Sequence, residues 1–479
     1  MHTLIAFATQ WGSKLGGINS FNADFLSAFG AAYGASAQVV CIVASATPDE
    51  VADARDAAVA LVPLPDAASL PRHLATRDFV FQASHGTAGL AELRRRDIRF
   101  RPEATIWLGH DRVTGEAAVA AAKAAGGRSA LIHHMSYAAY EAFAENARAP
   151  LEKELSQRAL FRRADLAVAV GPLLREALHE LLGSARPVHM LVPGLADIEV
   201  REAPQTFTAF FSGRLSDDAA RIKQGHLGVA AFARAQHEAR AAGMPASLCR
   251  QPKLVLRGVD FGRHAGAMAG PPPADTSADL ARFAANYAQG EIDLHPLPYT
   301  QDRRQLYAEL SGSSVALMPS WHEGFGLAAW EAIAAGVPLI VSRQSGVYRL
   351  LEHHHPQVGP ACVHAVEVRG ASAFPYFHPD DLRAVVGSLK KVADNPAGAR
   401  RAAARLRAEM GGYTWAACVE QAAQAFQWPL IKRVGIHGAP LKPLPGALPG
   451  RLAAAPAQTP ARQRGSGQPV PRRWSKAIG

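Results

Sequence analysis

The sequence predicts an α/β protein of two doubly wound, Rossmann-like domains that face an interdomain cleft. Short apolar runs of strand length alternate with amphipathic stretches through both halves, the pattern of a parallel sheet wrapped by helices. Around residues 193–204 that alternation breaks into Pro, Gly and charge, as a hinge would, and then restarts. A chain of 479 residues is also too long for one ordinary core. These observations divide it into domains at 1–195 and 205–412, a closing helical stretch at 413–430 and a tail at 432–479.

In the first half, apolar runs place strands at 3–8, 38–43, 79–82, 105–108, 129–133, 166–169 and 188–192. Helical periodicity falls between them at 19–33, 115–125, 137–149, 151–162 and 172–182. The second half repeats the scheme, with strands at 207–212, 253–257, 315–318 and 339–341. Its helices are expected at 224–242, 302–310, 326–335, 380–392, 395–410 and 413–426. Residues 259–275, with Pro271-Pro-Pro273, read as an inserted loop.

One segment carries more chemistry than the rest. After the apolar run Val315-Ala-Leu-Met318, Pro319 and Ser320 end a buried strand, and Glu323 follows in a loop with Gly324 and Gly326. Those glycines let a ligand approach bare backbone. A helix begins at Leu327, so unpaired N–H groups and the positive end of its dipole face the same spot, where a phosphate can sit. Glu331 lies about one turn inside that helix. Gly336-Val-Pro338 then closes the helix and launches the next strand. An anion cradle flanked by two carboxylates suits a phosphorylated sugar, whose hydroxyls the carboxylates accept.

The pattern P-S-x-x-E-G-F-G-L-x-x-x-E-A-x-A-x-G-x-P resembles the E-x7-E signature of retaining glycosyltransferases of the GT-B fold, family 4. The resemblance extends over roughly residues 1–430 and is most specific within 207–350. It implies an acceptor domain first, a donor domain second, and a last helix that crosses back to the first. Phe211-Ser-Gly-Arg-Leu215 and Arg221-Ile-Lys-Gln-Gly225 are similar to the family's G-R-L…K-G element, which would set Arg214 and Lys223 on the donor's diphosphate. No D-x-D metal motif is present, so two cations and a helix N-terminus would stabilise the leaving diphosphate in place of Mg²⁺. Gly16 and Gly17 resemble the family's GG loop, which meets the diphosphate from the first domain.

By the same resemblance, Glu323 would hold sugar hydroxyls, and the backbone of Gly324, Phe325, Gly326 and Leu327 the phosphate and sugar. Glu331 would take the ribose. A cleft histidine would be His133 or His134 at the end of a strand, and neighbours there point to opposite sides, so one of them packs. His110 stands at the end of the strand before, and no second ligand cluster makes these histidines a zinc site. Tyr413-Thr-Trp415 matches a structural C-terminal element of the family. Gln344-Ser-Gly-Val-Tyr348 departs from its frequent Gly-Gly-x-x-Glu.

Charge and cysteines narrow the setting. The net charge of +10 is concentrated in the tail, where nine Lys and Arg stand with no Asp or Glu, so the folded body is nearly neutral. This argues against specific nucleic-acid binding, while the Pro- and Ala-rich tail, expected to be disordered, offers weak contact with an anionic membrane surface. Four scattered cysteines, no leader-like start and no long apolar run fit a cytoplasmic protein, peripheral at most to a membrane. The expected function is a retaining, metal-independent transfer of a hexose from a nucleotide-diphospho sugar, with UDP as the commonest base, to an unidentified acceptor and without a cofactor. An epimerase or phosphorylase of the same fold, or a non-catalytic nucleotide-sugar-binding protein, are the alternatives.

Overall fold

The computed structural model describes residues 2–13, 16–64, 80–140, 148–213, 215, 218–259 and 277–428. Two sheets form, and every pairing among the described residues is parallel. The first contains β1 (His2–Ala8), β2 (Ala37–Val43), β3 (Ala60–Pro63), β4 (Thr105–His110), β5 (Arg128–His133), β6 (Leu166–Val170) and β7 (Val188–Leu191). Its order is β3-β2-β1-β4-β5-β6-β7. The second contains β8 (Thr208–Ser212), β9 (Lys253–Val259), β10 (Asp293–Pro298), β11 (Val315–Met318), β12 (Leu339–Ser342) and β13 (His364–Val366), in the order β10-β9-β8-β11-β12-β13.

In both sheets the winding reverses beside the first strand, between β1 and β4 and between β8 and β11. Open α/β sheets hold their ligands outside the carboxyl ends of the strands at such a switch point. Ile5 in β1 is in register with Val40 of β2 and Trp107 of β4, and Phe211 in β8 with Leu317 of β11. The middles of these strands are apolar because helices cover both faces.

Alternate residues of the second sheet serve different cores. Phe210, Ala316, Met318, Leu339 and Val341 join a core continuous with that of the first sheet. Ala209, Phe211, Val315, Leu317 and Ile340 face a separate one, closed by the Gly225–Ala242 and Pro379–Asp394 helices. The period-two side-chain alternation of a strand makes this division.

Three departures from the sequence reading have physical causes. Residues 80–82 are not a strand: Phe81 is buried and its N–H donates to the Val113 carbonyl at 2.7 Å, leading into the Ala83–Arg95 helix. The outer place in the sheet belongs to β3, four residues long. β10 carries Pro296 and Pro298, tolerated because it is an edge strand with few partners to satisfy. Residues 193–204 are irregular but tied down at their start. Trp330 Nε1 donates to the Pro193 carbonyl at 3.0 Å, and Leu195 N–H to the Tyr413 carbonyl at 2.8 Å.

The Trp415–Phe426 helix lies against the Gly17–Tyr33 helix of the first half, with the Phe21 and Trp415 rings 5.5 Å apart. Gln421 accepts from Val192 N–H at 2.9 Å. Nearly all of the inserted loop expected at 259–275, and the basic tail, lie outside the described residues. Among the described residues no helix is long and apolar enough to cross a membrane.

Candidate active site

The loop between β11 and the Leu327–Ala334 helix is fastened from three sides. Its backbone is zipped to the segment after β12: Glu323 N–H donates to the Gln344 carbonyl at 3.1 Å, Gly346 N–H to that of Glu323 at 3.0 Å, and Val347 N–H to that of Phe325 at 2.7 Å. Trp321 N–H donates to the Ile222 carbonyl at 2.7 Å, bringing the short Asp218–Lys223 helix alongside. Across the cleft, Trp321 Nε1 donates to the Ala139 carbonyl at 3.2 Å. With its main chain so held, the Glu323 carboxylate is left to meet side chains. Lys223 Nζ forms an ion pair with its Oε2, and Ser320 Oγ lies 3.5 Å from the same oxygen.

The first half reaches this loop through its strand ends. A Cβ on Gly324 would stand 2.6 Å from the His134 carbonyl, which follows β5, so only glycine permits this approach. Phe325 is buried against Gly171, which follows β6. Leu327 lies beside Gly17, which opens the helix after β1. Gly326, at φ +101°, caps the Leu327–Ala334 helix and turns the start of that helix toward the same face. Gly17, Glu323, Gly324, Phe325, Gly326, Leu327 and Lys223 thus converge on one place, and Gly16 adjoins Gly17 as the cap of its helix. Arg214 lies outside the described residues.

Glu331 occupies different surroundings. It borders a small void of about 10 Å³ walled mainly by apolar side chains, among them Phe210, Leu306, Met318 and Leu339. Burial pushes its carboxyl up to about 7, against the pull of Arg303, with Asp24 adding to the rise and a hydrogen bond from Tyr307 opposing it. Arg303 makes a two-pronged bond across the cleft to Asp24 of the Gly17–Tyr33 helix, at 2.6 and 3.0 Å. Its guanidinium also donates to the Tyr307 hydroxyl at 2.6 Å. Sequence reasoning missed Arg303 and Tyr307, one helical turn apart on the Arg303–Ser311 helix, because no motif contains them.

The two neighbouring histidines separate. His133 is 1% exposed and its Nδ1 lies 3.1 Å from Asp111 Oδ2, so it is the one that packs. Asp111, buried and at φ +48°, also accepts from the N–H groups of His134 and Met135 at 3.1 and 3.3 Å and from the Gln157 amide. Burial pushes the Asp111 carboxyl up, but the His133 ring and these bonds outweigh it and hold it below its ordinary value.

His134 turns the other way, its Nε2 3.0 Å from His110 Nδ1. The His110 Nε2 lies 2.8 Å from Asn22 Oδ1, whose amide nitrogen faces Cys41 Sγ. Burial lowers both histidines, His134 to about 4, so both rings are neutral at pH 7. His110 then carries its proton on Nε2 and accepts from His134 Nε2–H, which leaves His134 Nδ1 as an acceptor with no partner among the described residues. Asp111, Gln157 and Asn22 were also missed, although Asp111 directly follows the noted His110.

Comparison with known proteins agrees with this architecture. A family model described as Family 4 Glycosyltransferase in conflict systems matches residues 5–422. A glycogen synthase of Mycobacterium tuberculosis is 29% identical over 126 residues, 26% of each chain. A GDP-mannose-dependent alpha-(1-6)-phosphatidylinositol dimannoside mannosyltransferase of the same organism is 31% identical over 123 residues, 25% of this chain and 27% of that one. The matched stretch therefore spans only about a quarter of those relatives. Among solved structures, the sucrose-phosphate synthase of Thermosynechococcus elongatus superimposes with a TM-score of 0.61 at 16% identity, covering 89% of this chain and 98% of that one. Anabaena HepE in complex with UDP and glucose gives 0.56 at 14% identity, covering 89% and 100%. These likenesses identify the GT-B fold.

Proposed function

From a chain that belongs to the family 4 glycosyltransferases of conflict systems, we propose a retaining, metal-independent transfer of a hexose from a nucleotide-diphospho sugar to an acceptor hydroxyl. The observation that carries this reading is the contact of Lys223 with Glu323 beside the start of the Leu327–Ala334 helix, on a loop pressed against the strand ends of the first half. A cation, a helix N-terminus and a carboxylate there match a diphosphate joined to a hydroxylated ring.

In the proposed reaction the bond between the anomeric carbon and the phosphate oxygen breaks, and the acceptor oxygen bonds to that carbon from the same face. The acceptor proton passes to the departing phosphate oxygen, so no protein base is required. Lys223, Arg214 and the first amides of the helix stabilise the charge that develops on the diphosphate, and Glu323 holds the sugar hydroxyls. Glu331 accepts from the ribose. His134, with Nδ1 as acceptor, is the cleft histidine offered to sugar or acceptor hydroxyls. The solved complex of HepE with UDP and glucose makes UDP the first base to test.

The experiment is a thermal-shift screen of UDP-, GDP- and ADP-hexoses, since a bound ligand raises apparent stability by mass action. NMR of the product from the stabilising donor then reads the anomeric configuration and whether a new glycosidic bond forms. We expect one base to stabilise the chain and the donor configuration to be kept. Stabilisation by none of the three, or an inverted product, would overturn the reading.

A further inference from the structure

Lysine carries its charge on a flexible stem, so the ammonium of Lys223 is placed only as well as its main chain. The Asp218–Lys223 helix that ends in it is six residues long, too short to hold its own shape. Both neighbours of Lys223 are fastened instead. The Ile222 carbonyl accepts from Trp321 N–H at 2.7 Å, which ties it to the Glu323 loop. On the other side stands Gln224, 1% exposed, at the corner before the Gly225–Ala242 helix. A corner between two helices needs a residue off the helical path, and Gln224 supplies it with a left-handed backbone at φ +59°.

The Gln224 side chain folds back over that corner. Its amide nitrogen donates to the Arg221 carbonyl at 2.5 Å and to the Tyr376 carbonyl at 2.8 Å, which occupies both of its hydrogens. Its Oε1 is buried with no hydrogen-bond partner among the described residues, so the donors are the part of the side chain that the corner uses.

Tyr376 lies on the segment between β13 and the Pro379–Asp394 helix and is itself left-handed, at φ +70°. An aromatic residue seldom adopts that backbone, and such outliers gather where the surroundings enforce them, above all beside functional sites. The enforcement is visible here. The Tyr376 carbonyl also accepts from Ala371 N–H at 2.9 Å, and the Tyr376 N–H donates to the Ala373 carbonyl at 2.7 Å. The Arg221 guanidinium lies 5.1 Å from the centre of the Tyr376 ring. The buried His226 ring stands 5.9 Å from it and 5.3 Å from both Phe283 and Phe374, so the segment is anchored on the start of the Gly225–Ala242 helix. Two strained residues thus meet through one hydrogen bond, directly after the cation that faces Glu323.

We propose that Gln224 is a positioning residue, which with the Tyr376 carbonyl clamps the corner after Lys223 and so aims that cation at the donor's diphosphate. The proposal rests on the transfer reading above, which puts the diphosphate at Lys223. Gln224 acts through Lys223 and not on the substrate.

A double-mutant cycle read on nucleotide affinity separates this role from a purely structural one. UDP, GDP and ADP are titrated into the full chain by calorimetry, and the tightest binder is carried forward. Gln224→Gly removes the amide and leaves the left-handed corner unstrained. We expect it to weaken that nucleoside diphosphate about tenfold while Lys223 is present, the loss that goes with one or two hydrogen bonds. In the Lys223→Ala background the same change should shift affinity by less than about twofold. Affinity unchanged by Gln224→Gly, or lowered as much without Lys223 as with it, overturns the proposal. Gln224→Asn tolerates the corner but is one methylene short, so it repeats the cycle, held to the same outcomes, should the glycine variant fail to fold. Tyr376→Asn keeps the carbonyl and the backbone while removing the ring, and should stay within about threefold of wild type. A larger loss there than in Gln224→Gly would give the role to the ring on Arg221 and overturn the clamp. Failure of all three nucleoside diphosphates to bind the wild type would instead overturn the transfer reading, and this role with it.

Discussion

The two faces of the cleft are built on different principles. On the first-half face, the polar groups at the ends of β4 and β5 are consumed by one another: Asp111 holds His133, Gln157 and two backbone N–H groups, and His110 links His134 to Asn22. On the second-half face, Lys223 meets Glu323 at a partly exposed pair, and His322 and Arg349 each keep a buried atom with no hydrogen-bond partner among the described residues. The first face is a framework satisfied largely from within, with His134 Nδ1 left to accept, and the second sets its charged pair where a substrate can reach it. The difference teaches that perturbed, buried ionisable groups mark a functional region without each being a reacting group. Asp111 and His133 are among the most buried polar residues here, yet what they do is hold the His134 main chain against Gly324.

The sharpest way to break that contrast is Asp111→Ala, which strips a buried network of its carboxylate. Removing one partner of a buried pair costs about 3–5 kcal/mol, and urea unfolding should show a loss of that order. Asp111→Asn, which tolerates the left-handed backbone and keeps one acceptor oxygen, should lose less. A loss below about 1 kcal/mol for the alanine variant would mean that the framework is not what the geometry makes it. On the opposite face the expectation reverses. Glu323→Ala and Lys223→Ala are expected to unfold near wild type, because a partly exposed ion pair is worth roughly 1 kcal/mol or less. Each should nonetheless lower kcat by roughly 10²-fold or more, the effect of removing a charge-stabilising group. Wild-type turnover in both variants would remove Glu323 and Lys223 from the site.

The same contrast explains what could be read from the sequence. The second face was legible because its chemistry is local: β11, the glycine loop and the Leu327–Ala334 helix are contiguous, and Glu323, Gly324, Gly326 and Glu331 fall within one motif. The framework was not, because Asn22, Asp111, Gln157 and Cys41 come from four separate elements and meet only when the sheet forms. Arg303 and Tyr307 were hidden for the same reason, being defined by Asp24 across the cleft. Whole strands escaped where pattern is weakest, at the three- and four-residue edge strands β13 and β3 and at the proline-bearing β10. The sequence left open which of His133 and His134 packs, because the choice depends on Asp111, whose carboxylate meets the His133 ring from a left-handed backbone.

The smallest expected effect is also the most diagnostic of Glu331, a carboxylate of the second face that burial strongly perturbs. Its carboxyl is pushed from an ordinary 4.5 to about 7, so between those values the folded chain binds more protons than the unfolded one. Stability contributed by this group is therefore full below about pH 4.5 and is lost as the pH rises through 7. Glu331→Gln cannot titrate, so the melting temperature of the wild type relative to this variant should fall across that window. Arg303→Ala should move the midpoint upward, because the guanidinium is the group that favours the ionised form. Ribose hydroxyls donating to the carboxylate favour the same form, so affinity for the nucleotide-diphospho sugar, whose phosphates do not titrate there, should rise with pH through about 7 in the wild type and stay flat in Glu331→Gln. A flat wild-type profile would separate Glu331 from the ribose and leave it as a carboxylate that only the Tyr307 and Arg303 cluster requires.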